Sequence, residues 1–173
     1  MSIEIERKYL IRMPDVARLR SMPGCVVWDI LQVYLCEGPD GETRRIRRIR
    51  EDGCERCYYT QKRRISALSC EETETEIPGA EFMRLAKEMD MDRRPIEKQR
   101  LRIPYRGQLL EVDIYDFWTD RATLEVELEG EDQDVLLPEW ISVVRDVSAE
   151  KAYKNYRLAC RIPMEELEQD GMG

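Results

Sequence analysis

Polar and apolar residues alternate with a period of two through most of this chain. The first ten residues set the pattern. Successive side chains of a strand point to opposite sides, so from Ser2 to Ile11 the residues Glu4, Glu6 and Lys8 share one face, while Ile3, Ile5 and Tyr9 share the other, with Arg7 between the last two. Two carboxylates spaced about 7 Å apart along a strand, with an ammonium one step further, suit a hard cation beside an anion. The same parity returns downstream. Arg45 and Arg47 share a face of an arginine-rich strand, and after an Asp52-Gly53 hairpin turn Tyr58, Thr60 and Lys62 do so. Glu72, Glu74 and Glu76 stand opposite Thr73, Thr75 and Ile77, and Lys98, Arg100 and Arg102 opposite Gln99, Leu101 and Ile103. Glu111 and Asp113 alternate with Leu110, Val112 and Ile114, and from Thr123 to Glu129 the residues Glu125, Glu127 and Glu129 alternate with Leu124, Val126 and Leu128.

Helical spacing is confined to short stretches. Pro14 and Asp15 stand where a helix would start, with Val16 and Leu19 as its apolar side and Pro23-Gly24 as its end. Phe82, Leu85, Ala86 and Met89 recur at helical spacing and read as core. Ser148 is placed to N-cap a last helix with Ala149, Ala152, Tyr153 and Tyr156 inward and Lys151 and Lys154 on another side. A strand from about Val27 to Cys36 leads into a turn at Gly38-Pro39-Asp40-Gly41, Gly107 marks a further turn, and Pro138-Glu139-Trp140 reads as a short turn or helix.

About eight strands with short connections and a few helices predict an α+β protein built on an antiparallel sheet large enough to close into a barrel. The charged faces then point either outward to solvent or inward to a lumen. The segregation of sign favours the lumen: each strand holds mostly one sign on its charged face, whereas a face serving only solubility would mix signs. Buried charge on this scale needs partners. Divalent cations against the carboxylates and a polyanion against Lys and Arg would supply them.

The composition narrows the chemistry. The 173 residues fit one domain, expected over 1–160 with a C-terminal tail over 161–173. Charged residues make up 37%, but the 42% hydrophobic content in periodic order predicts a folded chain. Twenty-eight basic and 36 acidic residues leave a net charge of −8, which argues against reading the arginine run as a nucleic-acid patch. The sequence contains no histidine, which excludes imidazole bases, serine or cysteine triads and the usual zinc motifs. Six irregularly spaced cysteines predict reduced thiols, and Cys54-x-x-Cys57 lacks the second pair that a zinc site needs. No apolar run approaches a membrane span, and the N-terminus runs straight into a charged strand, so a cytoplasmic location is expected.

Taken in order, Glu4-x-Glu6-x-Lys8, Arg45-x-Arg47, Lys62, Glu72-x-Glu74, Lys98-x-Arg100, Glu111-x-Asp113 and Glu125-x-Glu127 resemble the CYTH superfamily, from Ser2 to about Leu158. These are the triphosphate tunnel metalloenzymes, which include bacterial inorganic triphosphatases, thiamine triphosphatases and class IV adenylyl cyclases. The resemblance implies an eight-stranded antiparallel tunnel that binds a triphosphate with Mg²⁺ or Mn²⁺. It would place Glu4, Glu6, Glu125 and Glu127 on the metal, with Asp113, and Glu72 or Glu74, assisting. Lys8, Arg45, Arg47, Lys62, Lys98 and Arg100 would grip phosphate oxygens, joined by Lys151 or Lys154 from the last helix. Glu72, Glu74 and Lys98 would carry the catalytic roles, with a second metal or a carboxylate such as Glu72 activating water. Arg48 and Arg50 exceed what the pattern needs and leave the register of their strand open.

The expected function is metal-dependent hydrolysis of inorganic triphosphate or a close relative, by in-line attack of water on a terminal phosphorus. A class IV cyclase making cyclic AMP from ATP is the alternative within the family, and a non-catalytic polyphosphate- or nucleotide-binding module the alternative outside it. A structural β-domain with solvated charged faces is the fourth reading. The expected partner is a small-molecule triphosphate, with no nucleic acid or membrane, and a homodimer is left open.

Overall fold

The computed structural model describes residues 2–39 and 41–168, so Asp40 of the predicted turn lies outside the described residues, as do residues 1 and 169–173. Among the described residues, nine strands form one antiparallel sheet: β1 (Ser2–Arg12), β2 (Val26–Tyr34), β3 (Thr43–Glu51), β4 (Cys54–Arg64), β5 (Ser69–Ile77), β6 (Ile96–Tyr105), β7 (Gln108–Tyr115), β8 (Arg121–Glu127) and β9 (Val143–Asp146). Their order is β5-β4-β3-β2-β6-β7-β8-β1-β9, and a further β5–β1 pairing closes the first eight into a barrel. Strand β1 makes the closure. Its second half pairs with β8 in the register Glu6↔Glu127 and Lys8↔Glu125, while its first half pairs with β5 in the register Ser2↔Glu72 and Glu4↔Cys70.

Local chemistry fixes the corners. Asp52 (φ 47°) and Gly53 (φ 79°) both adopt the left-handed conformation that a two-residue hairpin requires. Arg106 and Gly107 repeat this between β6 and β7. The Asp15 carboxylate accepts from the Arg18 N–H at 3.1 Å and caps the short helix α1 (Val16–Arg20), as expected. Helix α2 (Gly79–Leu85) continues into a 3₁₀ turn at Ala86–Glu88, and its Phe82 and Leu85 bury against Ile46 and Cys57 on the outer side of β3 and β4.

The apolar faces point outward from the barrel and are covered. Tyr9, Ile11, Leu101, Ile103, Leu110, Val112, Leu124 and Val126 form the largest core under Leu19 of α1 and under Leu128 and Ile141 of the β8–β9 connection. A second cluster fills one end of the barrel. Leu10, Tyr34, Ile96 and Tyr115 pack there against Trp118, Val147, Tyr153 and Leu158. The segment 161–168 lies on this end, with Ile162 and Leu167 against the cluster and the Trp118 indole donating to the Pro163 carbonyl at 3.0 Å.

Two expectations about the last third of the chain need correction. Strand β9 was not foreseen; it is a four-residue strand laid beside Tyr9, Leu10 and Ile11 of β1. The single helix expected from Ser148 is also absent. Val147 N–H bonds to the Lys8 carbonyl at 2.9 Å and the Ser148 hydroxyl accepts from Lys8 N–H at 2.8 Å, which pins the chain to β1 and keeps Ser148 from capping anything. Ala149 and Ala152 are consequently exposed, and only a 3₁₀ turn (Lys151–Tyr153) and the one-turn α3 (Asn155–Leu158) follow. Pro138-Glu139-Trp140 is a turn, closed by Ile141 N–H to the Pro138 carbonyl at 3.1 Å. Among the described residues no helix is long and apolar enough to cross a membrane. All six cysteines are free, and Cys54 and Cys57, an odd number apart on β4, fall on opposite faces.

Candidate functional site: a charged tunnel

Barrel closure turns the alternating pattern into a lumen. Lys8, Arg45, Arg47, Lys98, Arg100, Asp113 and Glu125 come from five different strands, yet all are under 9% exposed. Two connected chambers of about 170 Å³ and 480 Å³ share Glu6, Arg45, Lys62, Glu125 and Asn155 as walls. The narrow chamber opens at Trp28, whose indole donates to Glu51 and lies under the Arg102 guanidinium, 4.2 Å from the ring centroid. The wide chamber ends at Tyr34, Tyr156, Lys151 and Lys154.

The charges sort into three groups. In the first, the Lys62 ammonium lies 2.8 Å from Glu4 and 3.0 Å from Glu72. Burial pushes the Glu4 carboxyl up, but Lys62, a hydrogen bond from Glu72 and Arg45 outweigh it and bring it down to about 2. The same hydrogen bond acts together with burial to raise Glu72. In the second, Asp113 is fully buried and accepts from two cations. One oxygen accepts from Arg100 Nε at 2.7 Å, and the other from Arg100 Nη2 at 2.8 Å and from Lys98 Nζ at 2.7 Å. Arg100 reaches on to Glu125 at 3.2 Å, which faces Lys8 at 3.3 Å. In the third, Glu74 accepts from Arg47 and from the Thr60 hydroxyl, both at 2.8 Å, and the guanidiniums of Arg47 and Arg45 hold it below the usual carboxylate range despite burial.

Two features show what this arrangement lacks. First, basic donors are left over. Arg45 Nε and Arg47 Nε are buried without an acceptor, and burial together with the adjacent Arg45 charge pushes Arg47 below its ordinary value. An anion in the lumen would satisfy both conditions. Second, Glu6 forms no ion pair among the described residues. Burial, with Glu125 and Glu4 adding repulsion, pushes Glu6 up to about 8. Glu4, Glu6, Glu125 and Glu127 offer oxygen donors alone, with no imidazole in the chain, which is the donor chemistry of Mg²⁺ or Mn²⁺. The donor type suits a hard divalent cation, although among the described residues these four do not gather into one cluster. The Glu4 and Glu72 carboxylates and the Cys70 thiol come within 4.8 Å of one another.

The lumen gathers almost the whole set of residues singled out from the sequence. Arg45 and Arg47 turn inward while Arg48 and Arg50 turn outward to Glu55, which resolves the register of that strand. Glu127 sits at the rim, exposed, and desolvation with the nearby Glu4 and Glu111 charges raises it. Lys151 is exposed at the wide mouth, whereas Lys154 is half-buried and lowered by desolvation and by repulsion from Arg64 and Lys8. Tyr34, Cys70 and Asn155 also line the lumen and were not anticipated. The parity of Cys70 with Glu72 would have revealed the first of the β5 positions, but nothing in the local pattern marks Asn155.

No family model matches the chain, and no curated protein does. Solved structures do. The inorganic triphosphatase NE1496 is 28% identical over 94% of this chain and 98% of its own, with a TM-score of 0.58. PH1819 from Pyrococcus horikoshii OT3 (18% identity, TM-score 0.57) and the conserved hypothetical protein Pfu-838710-001 from Pyrococcus furiosus (21%, 0.56) each cover 75% of this chain and 80% of their own, and share the fold.

Proposed function

Because the chain belongs to the CYTH superfamily of triphosphate tunnel proteins, we propose that it hydrolyses inorganic triphosphate in a divalent-metal-dependent reaction. The carrying observation is the surplus of buried basic donors, Arg45 Nε and Arg47 Nε, in a lumen too charged to hold an apolar ligand. A chain of phosphates presents acceptor oxygens along its length, which suits donors contributed by β1, β3, β4 and β6 around one axis. Lys8, Arg45, Arg47, Lys62, Lys98 and Arg100 would hold it, with Lys154 or Lys151 at the wide mouth.

Glu4, Glu6, Glu125 and Glu127 would bind Mg²⁺ or Mn²⁺, which when bound supplies positive charge against the phosphate oxygens. Asp113 is less free for that role than Glu125, from which Lys8 and Arg100 lie 3.2 to 3.3 Å, since its own oxygens are held at 2.7 to 2.8 Å by Lys98 and Arg100. Its part is to hold those two cations at the substrate. Of the two carboxylates proposed for catalysis, Glu72 is raised and Glu74 is lowered, and a better base is the one with the higher value. Glu72 is therefore the group that orients and deprotonates the attacking water, while Glu74 fixes Arg47. The cations neutralise charge that develops on the departing pyrophosphate.

The test is a product analysis of the purified protein with inorganic triphosphate, ATP and thiamine triphosphate under Mg²⁺ and Mn²⁺. Phosphate and pyrophosphate from inorganic triphosphate, faster than any turnover of ATP, is the expected result. Cyclic AMP as the main product of ATP would replace hydrolysis with cyclisation, and full turnover in excess EDTA would remove the metal from the reading.

A further inference from the structure

Asn155 opens the one-turn helix α3, which lies across the end of the barrel, and its side chain lines both chambers. It is uncharged, unlike almost every other group in the narrow chamber. Its Oδ1 accepts from the Tyr115 hydroxyl at 2.5 Å. Tyr115 in turn is 1% exposed and wedged between Phe117 and Trp118, with ring centroids 5.0 Å and 5.4 Å away, so the hydroxyl is a fixed point. A carboxamide held by its oxygen has its nitrogen turned the other way, and an amide carries two N–H donors there. Among the described residues no group accepts from Asn155 Nδ2.

We propose that Asn155 is a substrate-binding residue that presents these amide N–H groups to a phosphate oxygen in the tunnel. The assignment rests on the triphosphate reading given above. Its physical advantage is neutrality. The lumen already crowds guanidiniums and ammoniums together, and each added cation raises the repulsion that the empty site must bear. A neutral donor adds a hydrogen bond to the anion with none of that repulsion. The Tyr115 anchor also links the last segment of the chain to the lumen, so the amide is in place before substrate arrives.

The experiment measures binding of inorganic triphosphate to the full chain in chelator, where turnover is suppressed, for wild type, Asn155→Asp, Asn155→Ala, Tyr115→Phe, Asn155→Ala/Tyr115→Phe and Arg45→Ala. Aspartate keeps the shape and the acceptor for Tyr115 but replaces the donor with a charged oxygen, so affinity should fall more than roughly tenfold, as loss of a hydrogen bond to a charged group implies, with the unfolding midpoint unchanged. Alanine should lose somewhat less. Tyr115→Phe frees the amide to rotate, and the double variant should bind no worse than Asn155→Ala alone, because the two act through one contact. Wild-type or tighter binding by Asn155→Asp beside a weakened Arg45→Ala would overturn this assignment while leaving the triphosphate reading intact. Additive losses in the double variant would do the same. No binding by wild type, or none lost in Arg45→Ala, would overturn the triphosphate reading and this assignment with it.

Discussion

Strand β3 carries five arginines, and its two faces treat them differently. Arg45 and Arg47 point into the barrel, are each 8% exposed, and leave a buried Nε without an acceptor. Arg48 and Arg50 point outward, are 40% and 57% exposed at the side chain, and share Glu55 on the next strand. The residue type and the backbone are the same, and only parity differs. Outside, water solvates the guanidinium and a carboxylate lies close by, so the fold gains little and loses little. Inside, desolvation and mutual repulsion make the same group expensive, and the fold tolerates it because a polyanion can repay it on binding. The inner face is thus built for a ligand, and the outer face for solubility.

The comparison breaks most severely at the carboxylates. Glu125 is contacted by Lys8 and Arg100 and is held far below the usual carboxylate range despite burial. Glu125→Gln and Glu4→Gln should each reduce turnover of inorganic triphosphate by on the order of a hundredfold or more, the scale of losing a preorganised electrostatic partner. Chelation of divalent cations should have an equal or larger effect. Measured kcat with and without EDTA checks both, and near-normal turnover in either variant would detach these carboxylates from the reaction.

Next come the arginines themselves. Arg45→Ala, Arg47→Ala and Lys98→Ala should each weaken triphosphate binding roughly tenfold or more. Arg48→Ala on the outer face of β3, and Arg63→Ala on the outer face of β4, should leave it unchanged. Stability should move less. Removing Arg45 relieves the repulsion that depresses Arg47 but also takes a cation from Glu4, Glu72 and Glu74, so the unfolding midpoint of Arg45→Ala should stay close to that of wild type. A large drop in that midpoint would mean that the inner arginines serve the fold and not a ligand.

Parity explains why so much of this lumen was legible in the sequence. A period of two, once assigned, fixes a face for each residue of β1 and of β3 to β8, and closure of the barrel then brings those faces together without further information. Alternation places Asp113 in the lumen beside Lys98 and Arg100, but it cannot tell whether a carboxylate there meets a cation or two basic side chains. The final segment was not legible. Its four-residue strand offers no repeat to count, and Ser148 and Asn155 take their positions from Lys8 and Tyr115, residues distant in the chain. The packed end of the barrel was missed for a related reason: Leu10, Ile96 and Tyr115 lie toward the ends of charged strands, where the pattern fades, and Tyr34 ends β2, which has no charged alternation.

A pH titration sharpens the comparison through Lys98. Burial pushes this ammonium down to about 8 from 10.5 even though Asp113, at 2.7 Å, pulls it up. In the unfolded chain the same group keeps its proton up to its ordinary value. Between about 8 and 10.5 the unfolded state therefore binds more protons, and this group makes the folded state more stable as pH rises through that window. Below about 8 both states are protonated and the contribution is constant. Substrate affinity should run in the opposite direction, since neutral Lys98 no longer attracts phosphate. The difference between wild type and Lys98→Met isolates the effect, and it should vanish in the variant for both denaturant midpoint and triphosphate affinity. A Lys98 contribution to stability that falls over this window would reverse the sign and rule out desolvation as its cause.

The smallest effect belongs to the outer face. Arg50 lies 2.9 Å from Glu55 and Arg48 lies 3.8 Å from it, an arrangement that looks on paper much like the ion pairs inside. All three side chains are at least 40% exposed, however, so water and salt screen them. Each side chain must also give up rotamer freedom to hold the pair. Exposed pairs of this kind contribute about 0 to 1 kcal/mol, and a double-mutant cycle over Arg50→Ala and Glu55→Ala should return a coupling at the low end that disappears in molar salt. The same cycle over Lys98→Met and Asp113→Asn, at 2.7 Å and almost wholly buried, should give a larger coupling that survives salt. Similar couplings at the two places, with the same salt response, would mean that the two sides of the barrel wall share one electrostatic environment, and the lumen would lose the property on which its proposed chemistry depends.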